Sequence, residues 1–278
     1  MSTTIDRMSP ADLGTVLDWA ADEGWNPGHD DAAAFLAADP AGFLVRKVSG
    51  RPVSAISVVN HSESFAFLGL YLCHPDFRGR GHGLAIWNAG LANAGARTIG
   101  LDGVPAQEAN YARSGFVRQG GAARFTADPG LPSTSATRPA RPEDIDGLLK
   151  RERRATGVDA SRFLDLWFRD TASRRTLILD DADGLAGYGT VRACRAGAKI
   201  GPLFARDEAG ARLLLGDLTA TFDAGPVSLD VPESATGLRS LLDGAGFRPS
   251  FSTARMYLGP PPATAPDRYR SLATLELG

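Results

Sequence analysis

The chain has few cysteines and few histidines. Of its 278 residues only two are cysteines, Cys73 and Cys194, and four are histidines. Each cysteine lies in an apolar stretch of a different half, which argues against a disulfide framework and against a cysteine metal site. His74 and His82 have no partner at ligand spacing, so no metal is expected.

An excess of one charge and long apolar runs are also missing. With 30 basic and 32 acidic residues the formal net charge is -2, which does not favour nucleic acid or an anionic membrane as the main partner. No stretch approaches the roughly 20 apolar residues of a membrane span. Residues 1–7 lack the apolar region of a signal peptide. Cytoplasmic residence is therefore the default expectation.

Glycine, in contrast, is clustered at one point of the chain. A strand predicted over residues 64–73 and a helix predicted over 84–94 flank the run Arg78-Gly79-Arg80-Gly81-His82-Gly83. Residues without a Cβ atom let the backbone approach an anion closely. Free N–H groups at a helix start attract phosphates, and the two arginines can add charge-assisted hydrogen bonds. The run therefore predicts a diphosphate-binding turn, with a plain tight turn as the alternative.

The spacing of the glycines separates this turn from two other phosphate loops. Gly-x-Gly-x-Gly differs from the Gly-x-Gly-x-x-Gly of dinucleotide-binding proteins, and neither Gly-Lys-Ser nor Gly-Lys-Thr occurs. The run resembles the coenzyme A loop of the GCN5-related N-acetyltransferase (GNAT) superfamily, in which Arg or Gln is followed after two residues by Gly, one residue, and Gly or Ala. Arg78, Gly81 and Gly83 match that pattern.

A second segment of the chain carries the same resemblance. Tyr111-Ala112-Arg113-Ser114-Gly115-Phe116 resembles the superfamily's Tyr-x-x-x-Gly-Phe motif. The resemblance implies that Tyr111 protonates the departing thiolate of coenzyme A, because a phenol with a pKa near 10 still carries its proton at neutral pH. It also implies that the backbone of Leu72 and Cys73 contacts the pantetheine arm. Asn110 and Arg113 are implied to add contacts near coenzyme A. A core tyrosine on a short helix is the alternative.

In this superfamily an amine attacks the thioester of acyl-coenzyme A directly. The reaction therefore also needs a group that removes a proton from the amine. The candidates are Glu23, Asp31, His61, Glu63, His74 and Asp102. Glu23 and Asp102 are favoured, because the first precedes a loop on the acceptor side and the second ends a strand next to the active centre. A solvated or capping role is the alternative for each acid.

The loop between the first two predicted helices is the candidate acceptor site. It contains Trp25-Asn26-Pro27-Gly28, and in related folds this region shapes the acceptor pocket. Trp25 is predicted to pack against an acceptor and Asn26 to orient it. A turn in which the tryptophan only closes the core is the alternative.

The chain divides into two similar halves. Capping signatures at Asp12 and Asp144 lie 132 residues apart, and Gly115-Phe116 is echoed 131 residues later by Gly246-Phe247, which indicates an internal duplication. We predict an N-terminal GNAT domain over residues 1–127, a linker rich in turn-forming residues over 128–139, and a degenerate GNAT-like domain over 140–278. The expected fold class is α/β (α+β), with each domain a mixed, mostly antiparallel sheet flanked by helices.

The second half lacks the features that mark the first. Its corresponding loop, residues 201–210, has no clustered glycines and places Asp207 and Glu208 near the helix start, while Leu242 replaces the tyrosine. Acyl-coenzyme A is therefore assigned to the N-terminal half. The whole chain resembles a tandem GNAT subgroup, also in residues 23–28, 101–104 and 275–278.

The resemblance implies an enzyme that moves an acetyl group from acetyl-coenzyme A to a primary amine of a small molecule by direct attack in a ternary complex. One alternative is a non-catalytic acyl-coenzyme A sensor. Another is a protein or peptide acetyltransferase whose second half delivers the substrate, with a basic face formed by Arg192, Arg195, Lys199 and Arg206. A solvated basic face is the simpler explanation of those four residues. A monomer is preferred over a homodimer.

Overall fold

The computed structural model describes residues 2–128, 131–222, 225–265 and 267–278. Pro129 and Gly130 of the predicted linker lie outside the described residues. The first half contains β1 (Thr3–Arg7), α1 (Pro10–Asp22), α2 (Asp31–Ala38), β2 (Phe43–Val48), β3 (Arg51–Asn60), β4 (Phe65–Cys73), α3 (His82–Ala94), β5 (Thr98–Gly103), α4 (Glu108–Arg113) and β6 (Val117–Ala127).

The second half repeats this order of elements. It contains β7 (Arg138–Pro139), α5 (Ile145–Thr156), α6 (Ser161–Trp167), β8 (Arg174–Asp181), β9 (Gly184–Ala193), β10 (Ala198–Ala205), α7 (Glu208–Thr219), β11 (Val227–Pro232), α8 (Thr236–Gly244), β12 (Arg248–Leu258) and β13 (Arg270–Ser271). The strand predicted over residues 64–73 and the helix predicted over 84–94 agree with β4 and α3 to within two residues.

Local capping explains where each half begins its first helix. Ser9 Oγ accepts a hydrogen bond from the N–H of Asp12 (3.2 Å), and Asp12 Oδ2 accepts one from the N–H of Ser9 (3.0 Å). In the second half, Asp144 Oδ2 accepts from the N–H of Arg141 (2.7 Å). Such reciprocal bonds satisfy N–H groups that a helix start leaves free.

All strands in the described part of the chain belong to one 13-stranded sheet. Its order is β1-β2-β3-β4-β5-β12-β6-β11-β10-β9-β8-β7, and β13 pairs with β10. Strands β4 and β5 are parallel, as are β10 and β11. Strand β12 lies between β5 and β6, and β6 lies between β11 and β12. The two halves therefore exchange their last strands.

This exchange extends the predicted architecture. The mixed, mostly antiparallel sheet with flanking helices is confirmed, but the two tandem units share one sheet. Residues 117–127 of the predicted first domain pair on both sides with strands of the second half. The division of the chain at residue 127 stays a prediction.

Helices from the two halves also pack against each other. Phe35 of α2 stacks on Trp167 of α6, with ring centroids 6.1 Å apart, and contacts Phe163 at 6.2 Å. All three side chains are buried in one apolar cluster, and each contributes roughly 1.5–3 kcal/mol by leaving water. Within the described residues, no helix combines the length and apolar character that a bilayer crossing requires.

Candidate active site

The glycine run forms the turn that leads into α3. Gly79 and Gly81 have φ values of +73° and +79°, and a Cβ atom added to either would meet open space. Gly81 is the residue before the helix, and no side chain caps it. The first N–H groups of α3 are therefore not bound by a capping side chain, in a turn that glycine adopts without strain. This cradle fits a diphosphate.

Next to this turn the parallel strands β4 and β5 separate. Their pairing runs from Phe65 opposite Thr98 to Leu68 opposite Leu101 and stops there. At that point β4 bulges away from its register with β3, and Leu70 has a φ of +46°. A cavity of about 420 Å³ lies beyond, with Leu72 and Cys73 in its wall. The backbone of these two residues pairs with β3 on one edge and borders the opening on the other.

Tyr111 lies deep in this cavity. Its ring stacks on Trp87 at 5.6 Å between centroids and is 7 % exposed. Gly103 makes room for it, because a Cβ atom there would approach the ring to 2.6 Å. Burial, reinforced by Tyr71, raises the pKa of Tyr111 to about 12. The phenol therefore carries its proton at neutral pH.

Two of the predicted residues join the acceptor side to the glycine turn. Arg78 Nη2 donates to Glu23 Oε1 at 2.5 Å, and Arg78 Nε donates to the carbonyl oxygen of Cys73 at 3.0 Å. Both side chains line the cavity and are about half exposed. The carboxylate of Glu23, a predicted general base, is thus paired with the guanidinium group of Arg78.

Asp102 has a strong partner from the other half. Arg255 of β12 donates to both of its oxygens at 2.7 Å, directly across the strand pair. The Asp102 side chain is fully buried, which raises its pKa, and Arg255 opposes the shift. Both oxygens of Asp102 are bound to Arg255, in a contact that joins β5 to β12. The geometry therefore gives no support to the general-base role predicted for Asp102.

The same arrangement recurs between β6 and β11. Arg124 donates to both oxygens of Asp230 at 2.8 and 3.0 Å, and Lys199 lies 3.4 Å from the same carboxylate. Burial raises the pKa of Asp230, but Lys199 and Arg124 overcome this effect and lower it to about 2. Each exchanged strand is thus tied to the other half by an arginine.

Only one of the two predicted acceptor residues lies at the cavity. Trp25 lines it. Asn26 faces elsewhere: its Nδ2 donates to the carbonyl of Ala196 at 2.7 Å, and its Oδ1 accepts from the N–H of Ala196 at 3.0 Å. The geometry gives no support to the predicted role of Asn26 in orienting an acceptor, because both ends of the amide bind the loop between β9 and β10.

Four predicted coenzyme contacts lie on the glycine turn and on α4, outside the lining of this cavity. Arg80 is exposed. His82 Nδ1 accepts a hydrogen bond from Arg46 Nε at 3.0 Å. Asn110 and Arg113 are exposed on α4, where Asn110 donates to Gln107 and Arg113 donates to Asn110. These side chains are at least partly exposed and remain accessible to a ligand.

The remaining base candidates lie outside the 420 Å³ cavity. Asp31 pairs with Arg192 at 3.2 Å, and burial lowers the pKa of His61, whose Nε2 lies 2.9 Å from the carbonyl oxygen of Leu277. His74 accepts from the N–H of Asp76, and Glu63 is exposed. None of the four lines the cavity formed by the described residues.

The predicted basic face does not form. Arg192 and Lys199 are 1 % and 2 % exposed, since both point into the buried charge cluster between the halves. Arg195 pairs with Asp18 at 2.6 Å, and Arg206 pairs with Asp181 at 2.6 Å. These four cations therefore present no common surface to an acidic partner.

Comparison with known proteins identifies the family. A family model described as Acetyltransferase (GNAT) family matches residues 12–116, and one described as Acetyltransferase (GNAT) domain matches residues 148–269. The holothin acyltransferase of Pseudoalteromonas sp. (strain SANK 73390) is 31 % identical over 266 residues, which cover 95 % of this chain and 90 % of that protein. The chain belongs to the GNAT family of acyltransferases.

Solved structures share the fold of this GNAT protein. A candidate acetyltransferase from Pyrococcus horikoshii superposes with a TM-score of 0.80 at 20 % identity, over 99 % of this chain and 96 % of that one. A tandem GNAT protein from the clavulanic acid biosynthesis pathway superposes with a TM-score of 0.65 at 20 % identity, over 93 % and 99 % of the two chains. Members of this family use acyl-coenzyme A as co-substrate. Within the described residues, no group of three His, Cys, Asp or Glu side chains could hold a metal ion.

In the second half of the GNAT protein, the space equivalent to the cavity is filled. Strands β10 and β11 pair from Ala198 opposite Val227 to Ile200 opposite Leu229. Beyond that point β13 takes the opening, pairing with Leu203 and Phe204 of β10, and the N–H of Leu272 donates to the carbonyl of Asp230 at 2.9 Å. Asp207 caps α7 by accepting from the N–H of Gly210 at 2.8 Å. Neither the opening nor an uncapped helix start is left for a ligand.

The residues after β13 reach the 420 Å³ cavity and were not predicted as part of it. Leu275 and Glu276 line the cavity, together with Phe251 and Thr253 of the exchanged strand β12. The carbonyl of Glu276 lies against Gly69, whose missing side chain permits the approach. No local pattern could place these residues there, because their neighbours lie some 200 positions earlier in the chain. The resemblance of residues 275–278 to the tandem subgroup was the one available signal.

A larger cavity of about 720 Å³ lies on the other side of residues 272–278. Phe65, Phe67 and Tyr257 contribute aromatic walls, and Asp102 borders both cavities. Neither the glycine turn nor Tyr111 lines it. The smaller cavity is therefore the candidate active site.

Proposed function

We propose that this acyltransferase is an N-acetyltransferase that moves the acetyl group of acetyl-coenzyme A to a primary amine of a small molecule. The reaction is assigned to the N-terminal half, and the protein acts as a cytoplasmic monomer. One observation carries the proposal: Arg78, the first residue of the glycine turn, and the buried ring of Tyr111 line the same cavity at the opening between β4 and β5. Helix α3 starts after the uncapped Gly81 of that turn.

Each part of this site has a role in acyl transfer. The turn over residues 78–83 holds the diphosphate, and the backbone of Leu72 and Cys73 holds the pantetheine arm. Asn110 and Arg113 add contacts at the rim. Tyr111 gives its proton to the sulfur as the carbon–sulfur bond breaks, and its raised pKa of about 12 keeps that proton available.

The size of the cavity supports a small acceptor and a short acyl group. About 420 Å³ is within the range of ordinary small-molecule pockets. The acyl group and the reactive end of the acceptor must share this space, whose wall includes Trp25 and Phe251. The 31 % identical relative is named for holothin, which is consistent with a small-molecule acceptor here.

Calorimetric titration with acetyl-coenzyme A tests the proposal. We expect one site per chain and a loss of affinity of at least 100-fold in Gly81→Glu, because the new side chain strains a φ of +79° and places a negative charge at the diphosphate turn. Gly246→Glu is the matched control: its φ is +88° and its Cβ would also meet open space, but it lies in the second half. Two sites per chain, or binding that survives Gly81→Glu, would contradict the proposal. Formation of an acetylated amine by the wild type, in a screen of primary amines, completes the test.

A further inference from the structure

We infer that Glu276 is the carboxylate that receives the acceptor amine and takes its proton. The inference rests on the proposed function and adds a catalytic residue to the same site. Glu276 lines the catalytic cavity together with Tyr111 and Trp25 and is 3 % exposed. Its main chain contacts Gly69, next to the bulge at Leu70 where β4 leaves β5.

Glu276 is distinguished from the other acids of the cavity by what it binds. Three carboxylates line the cavity. Glu23 is paired with Arg78 at 2.5 Å and Asp102 with Arg255 at 2.7 Å. Within the described residues Glu276 has no Lys or Arg nitrogen within 4 Å, and its carboxylate accepts a hydrogen bond from the hydroxyl of Thr274. The negative charge of Glu276 is therefore not neutralised by a directly bound cation, as the charges of the other two carboxylates are.

The charges around Glu276 come from several elements of both halves. It is one of the negative charges that stabilise the buried cations Arg124 of β6, Arg192 of β9 and Lys199 of β10. The titratable and charged side chains that share its cavity are Glu23, Tyr71, Cys73, Arg78, Asp102 and Tyr111. An incoming ammonium group would find a negatively charged partner here that no arginine or lysine holds directly.

In the inferred reaction, every proton that one group loses is taken up by another. A primary ammonium group gives one proton to the Glu276 carboxylate, and the freed nitrogen lone pair forms the carbon–nitrogen bond to the thioester carbonyl carbon. As the carbon–sulfur bond breaks, Tyr111 gives its proton to sulfur and regains one from the nitrogen, which leaves a neutral amide. Glu276 releases its proton to water. The products are the amide, the free thiol and one proton.

The test compares Glu276→Gln with the wild type in steady-state turnover of primary amines from pH 6 to 10. General-base catalysis contributes about 100- to 10,000-fold, so we expect kcat at pH 7 to fall by at least 100-fold. The deficit should shrink by about tenfold for each pH unit, because the amine, with a pKa near 10, loses its proton to solvent as the pH rises. Binding of acetyl-coenzyme A should be unchanged. Glu143→Gln, at an exposed glutamate in the turn before α5, is the matched control.

Glu276→Asp keeps the charge and guards against a variant that fails to fold, and we expect it to recover part of the lost turnover. A deficit that is equal at every pH would indicate a structural role and overturn the inference, as would wild-type turnover in Glu276→Gln. Binding of acetyl-coenzyme A without turnover of any amine by the wild type would instead overturn the proposed function, and this inference with it.

Discussion

The two halves of the molecule differ most where their parallel strands separate. Between β4 and β5 the opening is a cavity of about 420 Å³, whereas between β10 and β11 the equivalent opening is closed by β13. Helix α3 starts after an uncapped Gly81, whereas α7 starts with a side-chain cap from Asp207. The same sequence of elements thus builds one open site and one filled one.

This difference separates what maintains the fold from what maintains the site. The ion pairs on the exchanged strands are present in both halves, as Asp102 with Arg255 and as Asp230 with Arg124. The glycine turn and the cavity tyrosine are present in one. Packing and strand pairing can therefore persist after binding chemistry has been lost.

The largest effect is expected from the buried ion pairs. Asp230→Ala leaves Arg124 and Lys199 without their carboxylate, and their side chains are only 7 % and 3 % exposed. The substitution should lower the free energy of unfolding by about 3–5 kcal/mol. Asp102→Ala should cost less, about 1.5–3 kcal/mol, because Arg255 is 22 % exposed and can reach water. Urea unfolding at pH 7 measures both, with the surface variant Asp165→Ala as control.

The contribution of Asp230 to stability should also depend on pH. The folded-state pKa of Asp230 is about 2, below its ordinary 3.8. Its carboxylate therefore stabilises the fold above pH 4, and this contribution is lost as the pH falls through 2. The difference in the free energy of unfolding between the wild type and Asp230→Ala should decrease over the same pH range, from 4 to 2. If Asp230→Ala and Asp102→Ala lowered the free energy of unfolding equally at pH 7, the two ion pairs would contribute equally to stability, against this prediction.

A smaller effect, confined to catalysis, is expected at the tyrosine that the second half lacks. Tyr111→Phe keeps the stacking on Trp87 and removes the proton donor, so kcat should fall about 100-fold while the affinity for acetyl-coenzyme A stays the same. Tyr269→Phe, which alters a tyrosine packed against α8, should leave kcat unchanged. Full turnover by Tyr111→Phe would remove the main functional difference between the halves.

The smallest effect is expected from removing the acids at the start of α7. Asp207→Ser with Glu208→Gln keeps a capping hydroxyl and removes the repulsion of a diphosphate. We still expect one molecule of acetyl-coenzyme A per chain, because β13 continues to fill the opening between β10 and β11. A stoichiometry of two in calorimetry would show instead that charge alone had closed the second site.

The sequence was most informative where structure depends on neighbouring residues. Apolar periodicity and capping located the predicted helices and strands, and the glycine run marked the turn before α3. Pairing over long separations left no local pattern: β12 resembles an ordinary last strand, and nothing near Arg255 indicates Asp102 as its partner. The hydrogen bonds between Asn26 and Ala196 were not foreseen for the same reason, since the two residues lie 170 positions apart. Glu276 could be placed in the cavity only after β13 had fixed the course of residues 272–278.

The exchanged strands make the duplication difficult to reverse. A second copy that has lost its ligand would ordinarily be free to disappear. Here its removal would take β12 from between β5 and β6 and would strip Phe251, Thr253 and Glu276 from the wall of the remaining site. Mutation can silence the chemistry of the second copy, but the first copy has come to depend on its presence, and the two must be inherited together.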